Sequence, residues 1–328
     1  MSRHNLPRLR DRNFSSLAKD ISQASTLPQA LALAGADYQV GRTKLYARVS
    51  TEGSVPIPGT QTSLLEIPDA RGMWRLDSEG KPANFLGTVG TKYTPVQNEQ
   101  AFEAAEVFSG EGAQFDRCYV STDFAQICLR MKVAEEVILG DKAVAYTTLV
   151  NTHDGTSSLL ALRGMFRFCC NNEWAGLLKK SEQTLRQRHT LSAANLVDRV
   201  RLIMCDLRAS LMEAKTLAEH TVNIHLGEAR WQGIVETLLP ITDEMTLRQR
   251  TMVDEQRSQL HRAWRAEDLN NFRHSGWGAL QAVADFSSHL GDAARLSSNP
   301  DTVVKNLLER TQQQPLLTQV RDLVLALN

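Results

Sequence analysis

Three stretches of the chain carry three different patterns of apolar and polar positions. Residues 14–35 place Leu27, Leu31 and Ala34 on one helical stripe, and Gly35 suits a C-terminal cap. That spacing predicts a helix interrupted near Pro28. From 38 to 170 the period shortens. β-rich runs separated by clusters of Gly, Pro, Asn and Asp predict strands at 38–49, 72–77, 84–94, 114–121, 124–133, 143–150 and 158–169. One helix interrupts them at about 97–109, where Ala101, Phe102, Ala105 and Phe108 share a face. Residues 50–61, with two prolines and two glycines, read as a loop. After 171 helical spacing dominates. Leu196, Val200, Ile203, Leu207, Leu211, Ala214 and Ala218 step by three and four through a helix predicted at 195–218. Further helices are predicted at 228–238, 244–268, 276–290, 301–311 and 315–327, with Asn299 as cap and Pro300 in the first turn of the fourth.

Strands first and helices later predict an α+β fold: an antiparallel β-rich N-terminal half with an interposed helix, followed by a helical C-terminal half. The expected division is an N-terminal arm and helix at 1–37, a β-rich α+β core at 38–190, and a helical region at 191–328 packed on that core.

Composition adds limits to that picture. Of 328 residues, 42% are hydrophobic, enough for a real core. Lys plus Arg equals Asp plus Glu at 37 each, so no global field favours nucleic acid or an acidic membrane. Five cysteines, an odd number with no C-x-x-C pair, fit a reducing cytoplasm better than a disulfide framework. The opening MSRHNLPRLRDRNF lacks the apolar stretch of a signal peptide, and no apolar run approaches the roughly 20 residues that span a bilayer. A cytoplasmic protein with no membrane partner is expected. Arg3, Arg8, Arg10 and Arg12 make the first residues basic, either a frayed tail or an arm for phosphate.

Charge matters locally. Residues 160–208 carry nine basic residues, among them Arg163, Arg167, Lys179, Lys180, Arg186 and Arg188, against four acidic ones. Such a segment is either a solvated face or a surface for phosphate, since neutralising phosphates releases counterions. Trp174 lies among these charges as a candidate for stacking an unpaired base.

Two motifs are polar enough to carry chemistry. NTHDGTSS at 151–158 lies between two β runs, and Asp154-Gly155 supplies the positive φ of a tight hairpin turn. Asn151, Thr152, His153, Asp154, Thr156 and Ser157 also put many hydrogen-bonding groups at one sheet end, where His153 beside Asp154 suits orienting a proton or, when charged, binding a phosphate. In GTVGTKYTPVQNEQAF at 87–102, Gly87 and Gly90 have G-x-x-G spacing. That spacing marks either a phosphate-clamping loop or a close backbone approach. Lys92 and Tyr93 follow, and the helix opens near Gln97 and Asn98. No Walker or dinucleotide fingerprint is present, and no His/Cys cluster suits a metal, so no cofactor and no metal are expected. Trp231, Trp264 and Trp277 fall in helical segments and read as packing anchors.

Several stretches together resemble the phage- and plasmid-like proteins grouped as the DUF932 family, over about 90–290. A Y-x-P-x-Q-N-x-x-A-F block is matched by Tyr93, Pro95, Gln97, Asn98, Ala101 and Phe102. An N-S-H-D-G-S block is matched by Asn151, His153, Asp154 and Gly155, with Thr152 and Thr156 keeping the hydroxyls of its two serines. Cys170 and Asn172 match a C-x-N strand end, and Trp277 to Val283 match W-G-A-L-N-A-V with Gln281 for asparagine. A Pro-Val-Arg-Val-Val run is here Gly164-Met165-Phe166-Arg167-Phe168, with Arg167 in the place of that arginine. The resemblance implies residence on phages, plasmids or integrated elements and carries no activity with it.

These readings favour binding over catalysis: a DNA-transaction protein that binds single-stranded DNA, with annealing of strands as a homo-oligomer a further expectation. Arg163, Arg167, Lys179, Lys180, Arg186, Arg188 and Lys92 would meet the backbone, with Tyr93 and Trp174 as stacking residues. Two alternatives stand beside it. One is a factor that contacts a host defence protein, with an exposed apolar patch on the helical half. The other is a hydrolase or nuclease using His153 and Asp154.

Overall fold

The computed structural model describes residues 14–50, 62–155, 159–167, 172–173, 184–187, 193–287, 299–311 and 315–327. The fold is α+β, with antiparallel sheets in the first half and helices in the second.

The region predicted as one interrupted helix forms three elements: α1 (Phe14–Leu17), β1 (Lys19–Asp20) and α2 (Leu27–Ala34). Pro28 starts α2 rather than breaking it, because a proline in the first turn forfeits no intrahelical bond. Thr26 Oγ1 caps that turn by accepting from Gln29 N at 3.5 Å, and Gly35 ends it at a left-handed φ of 74°.

Two sheets follow. The smaller holds β2 (Val40–Ser50), β3 (Thr62–Leu76) and β4 (Pro82–Gly90) in that order. β3 is far longer than the strand predicted at 72–77. Its pairing with β2 jumps from Lys44–Arg71 to Leu45–Ile67, leaving Pro68, Asp69 and Ala70 as a bulge that hides the period in the sequence. The extra residues all lie in β3, so exposure along β2 alternates without a break from Gly41 to Val49.

Helices α3 (Asn98–Ala101) and α4 (Glu103–Gly110) replace the single predicted helix, separated at Phe102. Next come β5 (Gln114–Val120), β6 (Gln126–Ile138), β7 (Asp141–Thr152), β8 (Leu159–Arg167), β9 (Asn172–Glu173) and β10 (Thr184–Gln187). The larger sheet runs β1-β5-β6-β7-β8-β10, with β9 pairing the end of β8. Leu139 and Gly140, at φ 50° and 89°, form the two-residue β6–β7 turn that needs positive φ at both positions. β9 and β10 are strands in a stretch read as helix-dominated. β10 gains its ladder from β8, about 24 residues away, which no local pattern announces. β1 likewise pairs with β5, so residues from the expected N-terminal arm complete the core sheet.

β7 is buried at five successive positions, Ala143 to Thr147, so both faces of the sheet are covered. One face, with Ile127, Leu129, Met131 and Leu149, packs against α5 (Ala193–Thr221), whose Met204, Leu207 and Leu211 are buried. The other face carries Cys128, Val150 and Leu162 beneath Phe14 of α1 and Val304 of α9 (Pro300–Thr311). Asn299 caps α9 as predicted, its Oδ1 accepting from Asp301 N at 2.8 Å. Asp301 Oδ1 accepts in turn from Tyr119 Oη at 2.5 Å and Thr122 N at 3.0 Å, which fixes α9 to the sheet.

The remaining helices are α6 (Glu228–Leu238), α7 (Leu247–Trp264), a 3-10 turn (Glu267–Phe272), α8 (Gly276–Asp285) and α10 (Pro315–Leu325). Trp231, Trp264 and Trp277 are the anchors expected of them: all three are buried, and Trp231 stacks on Trp264 at 4.5 Å. No helix among the described residues is long and apolar enough to cross a membrane.

Candidate functional site

The two polar motifs, 55 positions apart, meet where the two sheets join. β7 delivers Asn151, Thr152 and His153 to the end of the large sheet, all buried. α3 delivers Asn98, itself 2% exposed. Asn98 Nδ2 donates to Ala36 O at 2.8 Å, which turns Oδ1 toward the β7 residues. That oxygen can only accept. The 2.8 Å contact with His153 therefore places a hydrogen on His153 Nε2, and Asn151 Nδ2 donates to the same oxygen at 3.4 Å. The backbone of His153 donates to Ala125 O at 2.8 Å. Tyr38 lies edge-on to the imidazole at 6.3 Å, and burial pushes its phenol well above the ordinary value.

Gln97 joins the motif to β2. Its Oε1 accepts from Val40 N at 2.9 Å and its Nε2 donates to Val40 O at 3.0 Å, so the side chain pairs like one more residue of a neighbouring strand. Gly87 is the close approach that the G-x-x-G spacing allows. A Cβ there would sit 2.8 Å from Cα and Cβ of Asp154. Gly155 takes a φ of 79°, as expected of the turn. Among the described residues the β7–β8 ladder runs to Val150–Leu160, β7 stays paired with β6 out to Thr152, and Asp154 lies against Gly87 of β4. Asp154 faces Gly87 and is half-buried; His153 is fully enclosed.

Tyr93 is half-buried, its hydroxyl donating to Thr152 O at 3.4 Å. Burial, with the nearby Asp154 carboxylate, raises its phenol above the usual value. Lys92 is exposed beside it. Arg163 and Arg167 stand opposite Thr147 and Ala143 and share one register face of β8. Arg186 stands opposite Leu160, at the alternate register position to Arg163 and Arg167. Asn172 lies in β9, opposite Arg167. Trp174, Lys179, Lys180 and Arg188 fall outside the described residues. Part of the local basic excess is matched by acid: Arg201 pairs with Glu111 at 2.7 Å.

A second constellation lies on the small sheet. Arg42, Lys44, Tyr46 and Arg48 occupy the exposed alternate positions of β2, and β2 contains no acidic residue. Arg42 donates to the carbonyls of Thr91 (2.9 Å) and Tyr93 (2.5 Å), which brings Lys92 to the base of the row. Glu66 is the one carboxylate opposite the row, 2.9 Å from Lys44 and 3.8 Å from Arg71. Tyr46 is 52% exposed, and Leu64 and Leu65 of β3 are 69% and 61% exposed on opposite faces, so the outer part of this sheet is uncovered on both sides. The Arg-x-Lys-x-Tyr-x-Arg alternation is visible in the sequence; only its exposure distinguishes it from an ordinary half-buried strand.

The family model for the domain of unknown function DUF932 matches residues 85–317, well over half of the chain. The chain belongs to the DUF932 family. The Asn98–His153 network lies inside the family match, whereas β2 and all of β3 precede it. Comparison with curated proteins and with solved structures finds no match. Among the described residues, no group of three or more His, Cys, Asp or Glu is placed to hold a metal ion.

Proposed function

We propose that this DUF932 protein binds single-stranded DNA along β2, in keeping with the mobile-element setting its motifs suggest. The observation that carries the reading is the row Arg42, Lys44, Tyr46, Arg48, exposed on one register face of an uncovered antiparallel arm with Lys92 at its base. Alternate cations neutralise successive phosphates, and an exposed tyrosine between them offers a ring on which any base can stack. The Asn98–His153 network serves this by fixing the arm to the body, since Gln97 grips the start of β2 from the same turn. Fluorescence anisotropy with a labelled single-stranded oligonucleotide, at low and at physiological salt, tests the reading. Saturable binding that weakens with salt is expected; no binding at micromolar protein in low salt overturns it.

One observation favours a protein partner instead. The other face of the arm is uncharged and apolar, with Ile67 39%, Leu65 61% and Phe85 48% exposed. A host-protein antagonist would use that face, and a pull-down that survives removal of the β2 cations supports it.

A further inference from the structure

The helical half holds a cleft of its own, about 840 Å³, between the first turns of α6 and the last turns of α7. Its chemistry is set by a fixed histidine. The Trp231 indole N–H donates to His261 Nδ1 at 3.0 Å, so the neutral imidazole carries its proton on Nε2 as a donor. Burial, then the charge of Arg265, holds His261 below its ordinary pKa, which keeps that tautomer. Trp231 is itself locked by its stack on Trp264, so the imidazole is held by a buried aromatic pair. Two guanidiniums flank it on the cleft wall: Arg265, the C-terminal cap of α7, and Arg262 in the last turn before it. Arg265 holds Glu228 at 3.3 Å with both side chains more than half exposed, and no described carboxylate pairs with Arg262. Ser258 gives its hydroxyl proton to Asp254 O at 2.9 Å and offers the cleft no donor.

We propose that this cleft binds a phosphate-type oxyanion, held by Arg262, Arg265 and the Nε2–H of His261. Glu228 is the internal anion that holds Arg265 in place until the ligand arrives. A planar guanidinium presents a fork of donors that matches an oxyanion, and an exposed ion pair is weak enough to be exchanged. The site goes beyond the β2 reading and is independent of it, since it uses other residues on another element.

The Trp231 indole N–H is a reporter inside the site, because its acceptor is the imidazole that would meet the anion. Its cross-peak is followed in a ¹H–¹⁵N spectrum of the full chain during titration with inorganic phosphate, with a short 5′-phosphorylated oligonucleotide, and with chloride at matched ionic strength. A saturable shift with either phosphate probe, absent with chloride, is expected; the tighter probe tells whether the phosphate arrives free or on a nucleotide. Arg262→Gln should weaken binding by about tenfold, and Glu228→Gln should tighten it by about two- to fivefold. Both positions are exposed, so thermal melting should stay unchanged. No shift with either phosphate probe up to roughly 10 mM, the same shift with chloride, or binding indifferent to Arg262→Gln overturns the proposal.

Discussion

If β2 is the DNA-binding element, its charge count fixes how steeply affinity falls with salt. The row, its base and its neighbour carry Arg42, Lys44, Arg48, Lys92 and Arg71, and Glu66, which pairs with both Lys44 and Arg71, offsets one of them to leave a net of four. Four phosphates neutralised on a single strand give a slope of about −2.8 in log affinity against log salt. Between 50 and 200 mM salt that is a loss of roughly fiftyfold. Replacing Lys44 and Arg48 by glutamine leaves a net of two, so the slope should halve to about −1.4 and the loss shrink to roughly sevenfold. Both residues are exposed and neither lies in the core, so the fold should survive, which a melting curve checks. Tyr46→Ala separates stacking from charge: affinity should drop by about 1–3 kcal/mol per stacked base with the slope unchanged. Anisotropy titrations at four salt concentrations give both numbers. A double variant with the wild-type slope refutes the assignment of β2, whatever its absolute affinity.

The other predictions concern the body of the protein. Asn98→Ala strands the donors of His153 and Asn151 in a buried site and should cost about 1–3 kcal/mol in urea unfolding. Gly87→Ala forces a methyl to within 2.8 Å of Asp154 and should cost a similar amount, about 1–3 kcal/mol, by crowding. Alkylation followed by peptide mapping should label exposed Cys205 while Cys118 and Cys128 stay protected, because burial pushes the Cys118 thiol up to about 12 and Cys128 well above its usual value. His261 has its folded pKa below the unfolded value, so the unfolded chain binds the extra proton first. Stability should fall as pH drops through the unfolded value near 6.5, and His261→Gln should flatten that part of the curve.

What was legible in the sequence follows from the range of the interaction that sets each feature. The helical half depends on near-neighbour spacing, and the predicted starts at 228, 276 and 315 coincide with α6, α8 and α10. The strands that escaped, the outer part of β3 and the short β9 and β10, depend on partners elsewhere in the chain and on a bulge that breaks the period. The polar motifs were legible as motifs but not as a meeting. Nothing in either stretch says that the oxygen of Asn98 faces the ring of His153. His153 and Asp154 are neighbours in sequence, yet one is enclosed against Asn98 while the other lies against Gly87 of a different sheet. A general base must reach its substrate within hydrogen-bond distance, directly or through one water.

The boundary of the family match turns these two regions into a test of each other. The Asn98–His153 network falls within 85–317 and ties α3, β7 and the start of β2 together; the cation row on β2 falls before it. A network that only builds the shared body predicts one phenotype and an arm that meets DNA predicts another. Loss at Asn98 should lower stability and weaken binding in step, because β2 loses its anchor when α3 loosens. Loss at Lys44 and Arg48 should weaken binding with stability intact. Measuring unfolding and anisotropy on both variants separates them. If the Asn98 variant unfolds more easily yet binds single-stranded DNA as the wild type does under native conditions, the arm holds its shape without the network, and Gln97 alone suffices to position β2.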